Sequence, residues 1–212
     1  MIKKITRKNM RAFLSRHATA ERVLDLGAGG SPFANLFPNR VTADIDPERK
    51  PDIVADAEHL PFKDNEFKCI LCTEMFEHVK DPFQAEQEIR RVMAPGGKLI
   101  LTTRFVFPLH DTPEDYWRFS KYGLAELFRA WKIIEILPET KDFSAIGALL
   151  QRISFQTALR LNKLSKLIIL VLAWIFDHLN WLIVKEYGDI KRRNSEADIM
   201  ATGYYLVCRK ND

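Results

Sequence analysis

The amino-acid sequence predicts an α/β fold, a doubly wound and largely parallel sheet. Three observations carry this. The apolar run Val23-Leu24-Asp25-Leu26 stops on Gly27-Ala28-Gly29-Gly30, followed by Ser31-Pro32. That is the pattern of a buried strand turning sharply into a helix. Apolar segments of strand length then alternate with amphipathic segments of helix length. A final strand-like run, Ala201-Thr202-Gly203-Tyr204-Tyr205-Leu206-Val207-Cys208, arrives late, after about 60 residues of different character.

Strands are expected near 22–26, 40–45, 52–55, 67–73, 97–103, 131–137 and 201–208, and helices near 2–17, 32–37, 82–93 and 120–130. The first helix is amphipathic, with Ile2, Ile5, Phe13 and Leu14 available for packing. Its basic residues Lys3, Lys4, Arg7, Lys8, Arg11 and Arg16 suit a solvated cap over a cofactor cleft, a membrane surface or a nucleic acid. In the second, Ser31 can cap backbone N–H groups and Pro32 suits a first helical position, which needs no donor. Asp81-Pro82 opens the third and Pro95-Gly96-Gly97 closes it. Cys69 and Cys72 lie in an expected central strand, where an offset of three points them to opposite faces, so they read as core thiols in a reducing compartment together with Cys208.

Length and composition fit one such domain. With 212 residues, 47% of them apolar, the chain can bury a full core, and a net charge of +4 excludes neither an acidic nor a neutral partner. The basic N-terminal segment lacks the apolar core of a cleavable signal. The organisation expected is a basic amphipathic helix over 1–20 and a domain over 21–212, with a helical insertion at about 142–195 between the sixth and seventh strands.

The glycine turn selects among cofactors. A dinucleotide fingerprint needs glycine where Pro32 stands, and the carboxylate of Asp25 would repel a pyrophosphate. The same charge attracts an ammonium and a sulfonium, the two cations of S-adenosylmethionine. Gly27 and Gly29 would let the backbone approach such a ligand, although these glycines by themselves also fit a ligand-free turn. About 20 residues further on, Arg40-Val41-Thr42-Ala43-Asp44-Ile45-Asp46-Pro47 puts Asp44 at the tip of the neighbouring strand, within reach of ribose hydroxyls. Ile45 adjoins it, and Asp46 shares its strand parity.

On these residues the chain resembles the class I S-adenosylmethionine-dependent methyltransferases, in particular the type 11 group. The resemblance continues through Asp52-Ile53-Val54-Ala55-Asp56-Ala57, through Phe67 to Val79 with its Thr73-Glu74-Met75-Phe76-Glu77-His78, and through Arg91-Val92-Met93-Ala94-Pro95-Gly96-Gly97-Lys98-Leu99-Ile100-Leu101. It implies a Rossmann-like seven-stranded sheet whose last strand is antiparallel and inserted beside the fifth. It also implies cofactor contacts from Asp25, Gly27, Ala28, Gly29, Asp44 and Ile45, with Asp56 on the adenine amino group, the Ala57 backbone N–H on a ring nitrogen, and Thr73 at the methionine end. The product would be S-adenosylhomocysteine. From its residues alone, Asp56 reads equally as a helix N-cap.

Acceptor-side residues are expected after the fourth and fifth strands, namely Glu77, His78 and the aromatic, titratable segment 107–120. His110 is the candidate general base, because its ordinary pKa lies near neutrality. Tyr116, Trp117 and Arg118 could frame an acceptor or pin the loop to the next helix. His110-Asp111 with Glu114 does not read as a metal site, and no metal is expected. The run Trp117-Arg118-Phe119-Ser120-Lys121-Tyr122-Gly123-Leu124 resembles methyltransferase-domain proteins of bacterial sugar and cell-surface polysaccharide metabolism.

The insertion is unusually apolar. Leu167 to Phe176 is uninterrupted, and Trp181-Leu182-Ile183-Val184 follows. On a helix, Lys166, Ala173, Asp177 and Asn180 fall near one stripe. Residues 164–187 are therefore expected to pack under a neighbouring helix as a lid or homodimer contact, to lie on a membrane surface, or to span it. The expected activity is SN2 methyl transfer to a small-molecule, sugar or lipid-linked acceptor, in the cytoplasm or peripherally on the inner face of a membrane. An RNA methyltransferase and a non-catalytic, membrane-associated cofactor-binding assembly protein are the alternatives. Nucleic acid is disfavoured, since no aromatic-basic recognition module accompanies the basic helix.

Overall fold

The structure, a computed structural model, describes residues 4–30 and 32–211. The chain forms two compact units. The larger holds residues 11–104, 109–137 and 204–212, and the smaller holds the segment up to Met10 with 105–108 and 138–203.

After helix α1 (Ile5–Ser15), the sheet is laid down by β1 (Val23–Leu26), β2 (Arg40–Asp44), β3 (Ile53–Val54) and β4 (Phe67–Thr73). Helix α2 (Pro82–Val92), β5 (Met93–Arg104), α3 (Lys121–Leu127) and β6 (Trp131–Pro138) follow. The smaller unit then contributes α4 (Asp142–Gln156), α5 (Asn162–Asp177) and a two-stranded ribbon of β7 (Glu186–Tyr187) and β8 (Ser195–Glu196), before β9 (Gly203–Lys210) returns to the sheet.

The sheet order is β3-β2-β1-β4-β5-β9-β6, with the last strands antiparallel, as the sequence resemblance implies. β1 runs parallel to both β2 and β4, placing Asp25 opposite Thr42 on one side and Leu71 on the other. β4 runs parallel to β5, with Thr73 opposite Thr102. Strand order therefore reverses between β1 and β4, the kind of switch point beside whose C-terminal strand ends open α/β sheets bind ligands. The strands beside it are apolar on both faces, with Leu24, Leu26, Ile70, Cys72 and Leu99 to Leu101 buried, which fixes their register.

Helix α2 forms as its signals require. The Asp81 carboxylate accepts from the N–H groups of Phe83 and Gln84, Pro82 takes the first turn, and Ala85, Ile89 and Val92 line the buried face. Ser120 caps α3 by accepting from Gly123 N–H. In α1, Ile5, Phe13 and Leu14 are buried, while Ile2 and Lys3 lie outside the described residues. Phe13 stacks on Tyr205 of β9 with ring centroids 4.5 Å apart.

Several boundaries differ from expectation. The helix expected at 32–37 is only a 3-10 turn over Ala34–Leu36. Pro32 and Pro38 bracket too few residues for an α-helix, and the buried rings of Phe33 and Phe37 anchor the chain instead. Ser31, the expected cap, lies outside the described residues. Pro95-Gly96-Gly97 does not precede the fifth strand but lies inside it, where the register with β4 shifts between Phe67 and Cys69. All three cysteines are buried and unbridged. Burial pushes the Cys69 thiol up to about 11 and that of Cys72 well above its ordinary value.

Within the smaller unit, α5 packs on α4 along the stripe read from the sequence. Ala173 is the buried residue of α5, and a Cβ added to Gly147 would meet the Ala173 carbonyl oxygen at 2.6 Å. Asn180 Oδ1 accepts from Phe143 N–H at 3.0 Å, serving α4 as a cap from outside its own sequence. The rest of α5 stays exposed, with Leu167 at 59% and Trp174 at 63%. Among the described residues, no helix is long and apolar enough to cross a membrane.

Candidate cofactor and acceptor site

The glycine turn sits at the C-terminal end of β1. Gly27 and Gly29 adopt φ of +67° and +50°, the left-handed region that favours glycine. The N–H groups of Gly27 and Ala28 both donate to the Ala43 carbonyl, at 2.8 and 3.2 Å, extending the β1–β2 ladder into the turn. A Cβ on Gly27 would lie 2.6 Å from Met75 Cγ, so the β4 loop already fills the space behind the turn.

Asp44 ends β2 and is buried. Its Oδ2 accepts from Gly29 N–H at 2.8 Å and its Oδ1 from Asp46 N–H at 3.0 Å. The carboxylate expected at the ribose thus also fastens the glycine turn. Asp46 is engaged in the following turn, where it accepts from Glu48 N–H at 2.9 Å and pairs with Arg49 at 3.2 Å. Ile45 is 67% exposed beside them. Asp25 is buried, with Arg40 Nε 3.4 Å from its Oδ2. The charge that argued for a cationic ligand is therefore partly offset by a residue that enters only through the pairing of β1 with β2. Asp56 Oδ1 accepts from Glu58 N–H at 2.9 Å within a turn, so it caps no helix, and Ala57 is buried next to it. Thr73 closes β4 at partial exposure.

Beyond β4 the backbone breaks at Glu74, a non-glycine residue at φ +52°. Its N–H donates to the Thr102 carbonyl at 2.9 Å, and its carboxylate pairs with the buried Arg104 at the end of β5. Glu77 follows and is fully buried. Its Oε2 accepts from Thr103 Oγ1–H at 2.6 Å, while among the described residues its Oε1 makes no hydrogen bond and lies 3.8 Å from His110 Nε2.

Residues 109–120 fold over Glu77. The N–H groups of Tyr116 and Trp117 donate to the Glu77 carbonyl at 2.9 and 3.1 Å, and Trp117 Nε1–H donates to the Val79 carbonyl at 3.0 Å. Arg118 grips Asp115 through two bonds of 2.6 Å. Burial raises the Asp115 carboxyl, but Arg118 and the His110 N–H outweigh it and hold the group down at about 2. Asp115 Oδ2 accepts from His110 N–H at 2.9 Å and lies 3.4 Å from His110 Nδ1. His78 Nδ1 is bonded to the Glu114 carbonyl, and the His78 and His110 rings meet edge to face at 4.8 Å.

The structure thus gathers Glu77, His78 and His110, with Trp117 and Arg118 fastening the loop that carries His110. Each of the first three offers a ligand atom within 4.8 Å of the other two, so this group, unlike His110-Asp111-Glu114, could hold a metal ion. Reasoning from sequence assigned no role to Glu74, Thr103 or Arg104, and it covered Asp115 only as part of the 107–120 segment. The polar break Thr102-Thr103-Arg104 after an apolar strand was the signal available for two of them.

Comparison with known proteins places this geometry. Residues 24–101 match the family model of a methyltransferase domain. An uncharacterized protein of Methanocaldococcus jannaschii is 30% identical over 138 residues, covering 59% of this chain and 66% of its own. A ubiquinone/menaquinone biosynthesis C-methyltransferase of Haemophilus ducreyi is 35% identical over 72 residues, covering 34% of this chain and 27% of its own. The chain thus spans less than two thirds of either relative. A Bacillus halodurans protein solved as a candidate methyltransferase shares the fold at a TM-score of 0.61 and 18% identity, over 95% of this chain and 99% of its own. The matched residues are the strands that build the glycine turn and the Glu77 loop, and over them the chain resembles the class I S-adenosylmethionine-dependent methyltransferases.

Proposed function

We propose that this protein transfers a methyl group from S-adenosylmethionine to a small-molecule, sugar or lipid-linked acceptor. The observation that carries this is the left-handed turn at Gly27 and Gly29, held by Asp44 at the switch point of the sheet. Glycines at 27 and 29 present backbone rather than side chain at the turn, and acidic groups flank it at Asp25 and Asp44. In this reading Gly27, Ala28 and Gly29 cradle that end and Asp44 with Ile45 receives the ribose. Asp56 and the Ala57 N–H read the adenine, and Thr73 lines the floor.

When bound, the cofactor supplies an activated sulfonium methyl, so the chain's task is alignment and exclusion of water rather than covalent catalysis. The acceptor enters beside Glu77, His78, Tyr116, Trp117 and Arg118. The loop holding the last three is pinned from Glu77, Val79 and Asp115, which suits a wall that positions an acceptor. His110 stands with its ring between Glu77 and Asp115, the setting of a group that binds a proton or a cation.

The exposed apolar face of α5 supports a lipid-linked acceptor and contact of residues 164–187 with the inner face of a membrane or with a second copy. The quinone-directed relative adds an isoprenoid acceptor to the classes worth testing. Calorimetry with S-adenosylmethionine, followed by incubation of labelled cofactor with fractionated lysate, tests the proposal. Label is expected in the lipid or polysaccharide fraction. Label in RNA would favour the nucleic-acid alternative, and cofactor binding with no labelled fraction would favour the non-catalytic one.

A further inference from the structure

We infer that Glu77, His78 and His110 form a binding site for one divalent first-row transition-metal ion. The three come from loops that follow β4 and β5, with Glu77 and His110 33 residues apart in the chain, and their ligand atoms lie within 4.8 Å of one another. Ligands about 2.1 Å from a shared ion stand roughly 3–4 Å apart, so closure on an ion needs shifts of only about 1 Å. Two imidazoles with one carboxylate suit zinc, manganese, iron(II) or cobalt, and supply too few oxygens for calcium or magnesium.

The state of Glu77 is the independent reason. Its side chain is fully buried, Thr103 engages Oε2, and among the described residues Oε1 has no hydrogen-bond partner, with His110 Nε2 3.8 Å away. A buried carboxylate with an unsatisfied oxygen carries a large desolvation cost that a cation at that oxygen removes. Thr103 also fixes the rotation of the group, so that Oε1 faces His110 Nε2.

The surrounding shell orients the other two ligands in the same sense. His78 donates Nδ1–H to the Glu114 carbonyl, leaving the lone pair on Nε2. Asp115 Oδ2 stands against His110 Nδ1, and two bonds from Arg118 hold that carboxylate. The order carboxylate, imidazole, ion is the one ligating histidines adopt. Asp115 and Arg118 are then positioning residues, and their charges cancel, so the ion's charge is met by Glu77.

The ion would lie at the ends of β4 and β5, where the acceptor enters under the methyltransferase reading. That role rests on that reading: an acceptor hydroxyl coordinated there sheds its proton to water more readily, and no separate general base is needed. Ion binding itself does not depend on it.

The test uses the full chain, stripped with a chelator and reloaded with zinc or cobalt. Expected are one ion per chain by mass spectrometry after gel filtration, a cobalt visible band, and a melting temperature that rises with zinc. Glu77→Gln, His78→Gln and His110→Ala should each weaken binding by about 10–100-fold. They should also abolish the cobalt band, while His178→Ala leaves the stoichiometry at one. Should a variant fold poorly, the zinc-dependent rise in melting temperature remains readable in Glu77→Gln, which keeps size and shape. No bound ion, or a cobalt band and zinc shift unchanged in these variants, overturns the site. Ion binding without cofactor binding upholds this site and removes the methyltransferase reading, whereas labelled product with no bound ion removes this site and leaves that reading.

Discussion

At the scale of single residues, the glycine turn separates positions that backbone geometry requires from those it does not. Gly27 combines φ +67° with a Cβ path blocked by Met75, whereas nothing lies within 4 Å of a Cβ on Gly30. Gly27→Ala should therefore cost about 2 kcal/mol or more and weaken cofactor binding, while Gly30→Ala should stay within about 0.5 kcal/mol of the parent by urea unfolding. Asp44→Ala removes the proposed ribose partner together with the acceptor for Gly29 N–H. Cofactor affinity measured by calorimetry should fall at least tenfold, about 1.4 kcal/mol, and an unchanged affinity would remove Asp44 from the ribose. Asp44 was legible because strand parity and spacing from the glycines are properties of the chain itself. The pairing of Asp25 with Arg40 was not, since it exists only once β2 lies beside β1.

At the scale of elements, local signals succeeded where capping and periodicity agreed, as in α2 with Asp81-Pro82. They failed where prolines crowded a short segment, as at 32–37. The loop between β3 and β4 shows a determinant no local pattern reveals. Arg91 of α2 bonds Glu88, Asp64 and the carbonyls of Leu60 and Phe62, and Glu88 accepts from Leu60 N–H. The Arg91 hydrogen bond holds the Glu88 carboxyl below its ordinary 4.5. The folded state therefore favours the charged form. The stabilisation is fully present above about 4.5 and is lost as pH falls through the lower folded value. Glu88→Gln should cost about 1 kcal/mol at pH 7 by urea unfolding, and the difference from the parent should shrink at pH 3.5. In the α4–α5 pair, Gly147→Ala forces a Cβ against the Ala173 carbonyl and should cost about 1–3 kcal/mol in the same assay.

At the scale of the whole molecule, the sheet is completed by a strand that follows it by more than sixty residues of chain. β9 lies between β5 and β6, so its removal leaves two strand edges unpaired. A chain ending at Met200 is expected to lose cooperative thermal unfolding, because Tyr204 to Cys208 all contribute buried surface. The three buried thiols report the same integrity. With burial raising Cys69 to about 11 and holding Cys72 and Cys208 above the ordinary thiol value, an aromatic disulfide reagent should titrate none of them in the native protein at pH 8 and all three in denaturant.

The sequence by itself determined the α/β class, most strand positions, the late final strand and the glycine turn. Each of these is written in local periodicity, capping residues and backbone requirements that hold before any tertiary contact forms. Tertiary structure alone decided that Glu77, His78 and His110 bring their ligand atoms within 4.8 Å of one another, that Arg40 answers Asp25, and that Asn180 caps a helix 37 residues earlier at Phe143. Those contacts join residues far apart in the chain, and their energies come from burial and charge pairing that only the folded sheet and its loops create.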